Sequence, residues 1–244
     1  MHGVVPEEFE YTGEKRLAIH FQRIERRIIS RVHYVIVVSN ALRTHVEKKY
    51  PGLFKGQFII LPIFQEQKVE RSAKPDGKRK PVIIYAGGLQ KWQQVHKMID
   101  VMEKTYDRYS YRFYCPEPEK MTAMLPKALR DNNKIHVGSR TPSELLKEYP
   151  QCHYGFILRE DIIVNQVSCP TKLIEYLANG IVPVVDSEKI GDFTDLGMQY
   201  VRINDLSTFH LPEESKRKEM ANINYDVYKK LMILHKTGVE ELLD

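Results

Sequence analysis

Cysteine is scarce, tryptophan occurs once, and long apolar runs are missing. The three cysteines, Cys115, Cys152 and Cys169, are far apart and form no CxxC pair. Neither a disulfide framework nor a zinc site is supported by that spacing, and a reducing compartment is the simplest setting. No apolar run approaches the ~20 residues that cross a bilayer. The opening MHGVVPEEFEY is acidic and lacks the apolar core of a signal peptide. The chain is therefore expected to be cytoplasmic, soluble or at most peripheral. Internal repeats and low-complexity tracts are absent. So is GxGxxG, which counts against a dehydrogenase. So too is Asp-x-Asp, which leaves no paired carboxylates for a divalent ion on a diphosphate. No serine or cysteine sits in a nucleophile-elbow or papain-like context.

What is present is ordinary globular material. Of the 244 residues, 42% are apolar and 28% charged, enough for a buried core. The net charge of +5 suits a phosphate-bearing ligand or an anionic membrane surface. It is too small to argue for nucleic acid.

Hydrophobic spacing predicts a helix over 14–31, with Leu17, Phe21, Ile24, Ile28 and Val32 on one face. The helix is also basic, carrying Lys15, Arg16, Arg23, Arg26, Arg27 and Arg31. It reads either as a solvated face or as a surface for anionic lipid. A strand over 35–38, a helix over 41–50 capped by Ser39, and a strand over 58–61 follow. Residues 65–80 are polar and hold Pro75 and Gly77, the best linker in the chain. Beyond it, strands near 82–85, 112–114, 135–137, 154–158, 182–185 and 199–203 alternate with helices. The first of these helices ends at Met102, one lies near 118–130, and another is opened by a Thr141–Glu144 capping box. A further helix runs over 170–179, and helices fill most of 212–243. That alternation implies a doubly wound parallel α/β sheet, with ligands at the carboxyl ends of its strands. The organisation read here is a partial N-terminal α/β domain over 1–64, a linker over 65–80, a Rossmann-like domain over 81–211 and C-terminal helices over 212–244.

The richest stretch is 169–185, CPTKLIEYLANGIVPVV. Pro170 suits a first helical turn and Gly180 the residue past the end. Leu173, Ile174, Leu177 and Ala178 share the face that packs. Lys172, Glu175 and Asn179 share the other. The helix start is a seat for phosphate, and Glu175 lies where ribose hydroxyls could bond it. The alternative is a solvated Lys–Glu pair. On that exposed face, Glu175→Ala is expected to leave the melting temperature nearly unchanged.

This stretch resembles the signature of glycosyltransferase family 4 and its relatives with the GT-B fold, where a Pro-x-Lys-x-x-Glu helix precedes Gly-x-Pro-Val. The resemblance implies that Glu175 holds the donor ribose and that the start of the helix, Pro170, Thr171 and Lys172, holds the diphosphate. The second carboxylate that the family often carries eight positions earlier falls here at Val167. Glu160, Asp161 and Asn165 are the polar neighbours that could replace it. Residues 82–93, VIIYAGGLQKWQ, resemble the first strand and loop of the family's C-terminal domain. Gly87 and Gly88 either admit the ligand closely or make a plain turn, and Lys91 can reach a diphosphate. Trp92 reads as a packing residue, or as one flanking the nucleotide. Ser139 matches the base pocket. Arg159 either faces phosphate or pairs with Glu160. His2 matches a histidine that the family places near the donor sugar, and residues 2–64 resemble the last third of its acceptor domain.

The implied activity is transfer of a hexosyl group from a nucleotide-diphosphate sugar to a glycan or lipid-linked hydroxyl, with retention and no cofactor. Polysaccharide or glycolipid synthesis is the setting that fits. His2, Lys91 and Lys172 are the catalytic candidates. Gly87, Gly88, Ser139, Arg159, Pro170, Thr171 and Glu175 are the donor-binding ones. The alternatives are a nucleotide-sugar epimerase of the same fold and a binding half that works with a partner chain or as a homo-oligomer.

Overall fold

The computed structural model describes residues 1, 3–64, 66, 80–203 and 211–243. The N-terminal layer holds α1 (Val5–Tyr11), α2 (Lys15–Ile29), β1 (Tyr34–Val37), α3 (Asn40–Lys49) and β2 (Gln57–Ile60). Its two strands pair in parallel. The larger unit holds β3 (Val82–Ala86), α4 (Val95–Thr105), β4 (Ser110–Tyr114), α5 (Pro118–Met124), α6 (Lys127–Arg130), β5 (Ile135–Gly138) and α7 (Pro142–Glu148). It continues through β6 (Tyr154–Ile157), α8 (Ile163–Gln166), α9 (Thr171–Ala178), β7 (Val182–Val185), β8 (Val201–Arg202) and α10 (Glu214–Leu243). Apart from Glu66 and Lys80, the linker 65–80 lies outside the described residues.

The six strands form one sheet in the order β5-β4-β3-β6-β7-β8, and every pairing is parallel. The fold is thus a doubly wound α/β sheet. Parallel strands are covered on both faces, so they read as continuous apolar runs. The β6 segment YGFI and the β7 segment VPVV are buried at every position. Ile84, Ala86, Tyr114 and Val185 pack on one face with α9, the far half of α10 and the N-terminal layer. Ile83, Phe113, Phe156 and Val184 pack on the other with α4 and α5.

Two expectations are corrected. The helix near 118–130 is two helices, because Pro126 follows Leu125, whose extended backbone (ψ 136°) stops the first one. The helices expected over 212–243 are a single helix, α10. It is about 45 Å long at 1.5 Å per residue and reaches back to β2. Gly238 permits that approach, since a Cβ there would lie 2.4 Å from the Ile60 carbonyl oxygen. On α2 the Phe21 ring stacks on Phe9 at 5.1 Å, while Leu17, Ile24 and Ile28 are exposed.

Candidate active site

Strand order reverses between β3 and β6, and in such sheets the crevice at that reversal, beyond the strand ends, takes the ligand. Three segments form it here: the loop after β3, the loop after β6, and the start of α9.

The loop after β3 is fastened at its base. The Gly87 N–H donates to the Tyr114 carbonyl at 3.0 Å, and the Tyr85 hydroxyl donates to the Gly88 carbonyl. Lys91 is exposed, with Nζ 5.2 Å from the centre of the Tyr11 ring in α1, so it faces the N-terminal layer. Trp92 is 36% exposed and belongs to neither core, which corrects its reading as a packing residue. Gln94 is the one described non-glycine residue with positive φ (54°), and it is buried. Such backbone is strained by roughly 1–2 kcal/mol, and the strain coincides with a bond from Gln94 Nε2 to Glu160.

The loop after β6 begins with Arg159 and Glu160. Arg159 does not pair with Glu160. Its Nη1 donates to Asn165 Oδ1 at 3.1 Å, and its buried Nε has no partner among the described residues. Burial holds its basicity below the ordinary arginine value. Asn165, fully buried, returns a bond from Nδ2 to the Glu160 carbonyl at 3.0 Å and so staples the loop. The Glu160 carboxylate accepts from Gln94 and, at 2.8 Å, from the Tyr11 hydroxyl. Burial and then Glu160 push the Tyr11 phenol up to about 12, so it remains a donor. Val167, where the family pattern has its second carboxylate, is buried in the core. Asp161 instead pairs with Lys189 at 2.7 Å.

Helix α9 has only eight residues, too few to persist in isolation. It forms because Leu173, Ile174, Tyr176, Leu177 and Ala178 are 2% exposed or less, and each buried aliphatic contributes about 1.5–3 kcal/mol. Gly180 ends it with φ +64°. Pro170 is its N-cap, one residue before the first turn, and no side chain caps that end. By contrast, α7 carries the full Thr141–Glu144 capping box. Lys172 Nζ bonds both Glu175 oxygens, at 2.9 and 2.8 Å, and the Tyr149 hydroxyl donates to Glu175 Oε2. The Lys172–Glu175 pair is half-buried rather than freely solvated, at 29% and 19% exposure.

Gly87, Gly88 and Lys91 thus lie in the loop after β3, Arg159 in the loop after β6, and Pro170, Thr171, Lys172 and Glu175 at the start and first turns of α9. Ser139 is exposed at the end of β5, two strands from β3 or roughly 10 Å by strand spacing. His2 lies outside the described residues. Sequence reasoning missed Tyr11, Gln94 and Tyr149. Among the described residues no cluster of three His, Cys, Asp or Glu side chains is arranged to hold a metal ion. No described helix is long and apolar enough to cross a membrane.

The fold is that of the GT-B glycosyltransferases. Sucrose-phosphate synthase from Thermosynechococcus elongatus superposes with a TM-score of 0.69 at 12% identity, covering 99% of this chain and 64% of its own. Anabaena HepE, solved with UDP-glucose, gives 0.65 at 14% identity, covering 99% and 70%. The GtfA/B complex gives 0.63 at 15% identity, covering 92% and 47%. The chain thus spans about half to two-thirds of the length of these structures. No family model matches the chain, and no curated protein matches it in sequence.

Proposed function

We propose that this chain binds a nucleotide-diphosphate sugar in the β3/β6 crevice and takes part in transferring the sugar to a hydroxyl acceptor. The observation that carries this reading is the uncapped start of α9, with Lys172 and Glu175 one turn apart, in the connection that also holds Arg159 with its buried, unpartnered Nε. Uncapped N–H groups and cations suit a diphosphate, and a carboxylate suits ribose hydroxyls. HepE, of the same fold, was solved with UDP-glucose.

In the reaction, the bond from the anomeric carbon to the diphosphate breaks and the acceptor oxygen takes its place. The acceptor's proton passes to the departing diphosphate. Lys172, Lys91, Arg159 and the α9 N–H groups stabilise the charge that develops on the leaving group. One exposed helix terminus supplies only about 0.3–1 kcal/mol, and a tenfold rate gain requires about 1.4 kcal/mol, so the donors act together. Glu160 takes the sugar-side role for which Val167 is unsuited. A hexosyl donor, retention, freedom from metal and cofactor, and a glycan or lipid-linked acceptor belong to the same reading.

The test is incubation with nucleotide sugars and candidate acceptors, following nucleoside diphosphate release and the anomeric configuration of the product. Release that depends on acceptor, persists in excess chelator and falls at least tenfold in Lys172→Ala supports the proposal. Donor epimerised without acceptor would transfer the reading to an epimerase.

A second reading, a binding half working with a partner chain, is favoured by one feature. A 510 Å³ hollow lined by Val5, Phe21, Ile24, Ile28, Tyr34 and Ile36 lies beside β1, which among the described residues pairs only with β2. Sedimentation of the chain alone distinguishes the readings: a monomer that transfers sugar efficiently excludes the second.

A further inference from the structure

Two groups of different standing hold the Glu175 carboxylate. Lys172 is 29% exposed on a flexible stem, and its ammonium bonds both oxygens. Tyr149 is fully buried. It follows α7 directly, and its ring meets Tyr176 edge-on at 5.9 Å and 86°. Tyr176 is itself fixed. It fills the space that Gly155 leaves empty on β6, where a Cβ would lie 2.4 Å from its ring. Its hydroxyl accepts the Ala86 N–H at 3.1 Å, at the end of β3. The hydroxyl on Glu175 Oε2 is therefore referenced, through two packed rings, to the strands that make the crevice.

We propose that Tyr149 is the positioning residue for Glu175, pinning Oε2 so that Oε1 can meet a ribose hydroxyl when Lys172 turns to the diphosphate. This rests on the ribose-binding reading of Glu175. A carboxylate offers about four acceptor positions, of which Lys172 takes two and Tyr149 one. An ammonium is a compact charge with rotating donors and sets no plane. The phenol donates from one direction, and its ring has no room to swing. Burial first, then Tyr176 and Glu175, raise the Tyr149 phenol far above its ordinary value, so it donates at every working pH.

The experiment is calorimetry with UDP, GDP and ADP. The tightest binder is compared with its 2′,3′-dideoxy analogue on wild type, Tyr149→Phe and Glu175→Gln, with melting temperatures recorded alongside. Wild type should prefer the ribose form by about tenfold or more, as for a hydrogen bond to a charged group. Tyr149→Phe should lose most of that preference while binding the dideoxy form as wild type does. A preference kept in Tyr149→Phe, or equal weakening of both ligands, overturns the proposal and makes Tyr149 structural. A preference kept in Glu175→Gln, or no binding of any diphosphate by wild type, overturns the ribose reading beneath it. If Tyr149→Phe does not fold, a ring-fluorinated tyrosine at 149 keeps the shape and strengthens the donor. It should widen the preference, and a preference unchanged or narrowed overturns the proposal.

Discussion

Glu175 is bonded to the buried Tyr149 and, in the proposed function, also to the donor ribose, and its substitutions separate the two. Removing the carboxylate leaves the buried Tyr149 hydroxyl without that acceptor. Losing a hydrogen bond to a charged acceptor costs about 1.5–3 kcal/mol. Glu175→Ala is thus expected to lower the denaturation midpoint by that much, while Glu175→Gln, which retains an acceptor, changes it little. Both should weaken nucleotide binding. Urea melts with calorimetry check this, and equal stability losses in the two variants would contradict it. The sequence-based expectation that Glu175→Ala leaves the melting temperature nearly unchanged is revised accordingly. Lys172 and Glu175 were legible as a pair because three-residue spacing puts them on one helix face. Tyr149 was not, because its contact spans 26 positions and depends on two other residues, Tyr176 and Gly155. Gly155→Ala tests that packing: a methyl 2.4 Å from the Tyr176 ring is expected to cost about 1–3 kcal/mol, read as a lower melting temperature.

Among the elements, α3 shows how the N-terminal layer is tied to the larger sheet. Ser39 caps it locally, accepting the Leu42 N–H at 3.0 Å. Asp192, from the loop beyond β7, accepts the Asn40 and Ala41 N–H groups at 2.6 and 2.8 Å. The Ser39 hydroxyl also donates to the Val167 carbonyl at 2.8 Å. Asp192→Ala should cost about 0.5–2 kcal/mol, the range for losing a helix cap. It should also speed amide exchange at residues 40–42. Unchanged exchange there would show that Ser39 and packing suffice. The start of α3 was readable from Ser39 ahead of an apolar run. The carboxylate that completes the cap was not, since it stands 151 positions away. The six strands were readable because parallel strands bury both faces and appear as short apolar runs between turn signals. Strand order, and with it the crevice, follows from how the helices wind, which no local pattern encodes.

At the scale of the whole molecule, the two layers share one continuous core and α10 crosses both. The N-terminal layer has its own electrostatic clamp. Glu7 in α1 accepts from His45 at 2.7 Å and Lys49 at 2.8 Å, and Lys49 also reaches Glu25 in α2 at 3.1 Å. Burial raises the Glu7 carboxyl, but the bonds from His45 and Lys49 outweigh it and leave it below the ordinary 4.5. A carboxyl depressed in the folded state contributes stability above 4.5 that is lost as pH falls through its lower folded value. The melting temperature of wild type should therefore drop more steeply than that of Glu7→Gln below pH 4.5, and parallel curves would contradict the clamp.

The central claim is that the β3/β6 crevice is a nucleotide-sugar site, and equilibrium binding tests it most directly. Calorimetric titration of the folded chain with a panel of UDP-, GDP- and ADP-sugars needs neither acceptor nor turnover. The account predicts that at least one binds, and that Glu175→Gln weakens it about tenfold or more without shifting the melting temperature. A folded chain that binds none of them, or a Glu175→Gln variant that binds as tightly as wild type, would contradict it.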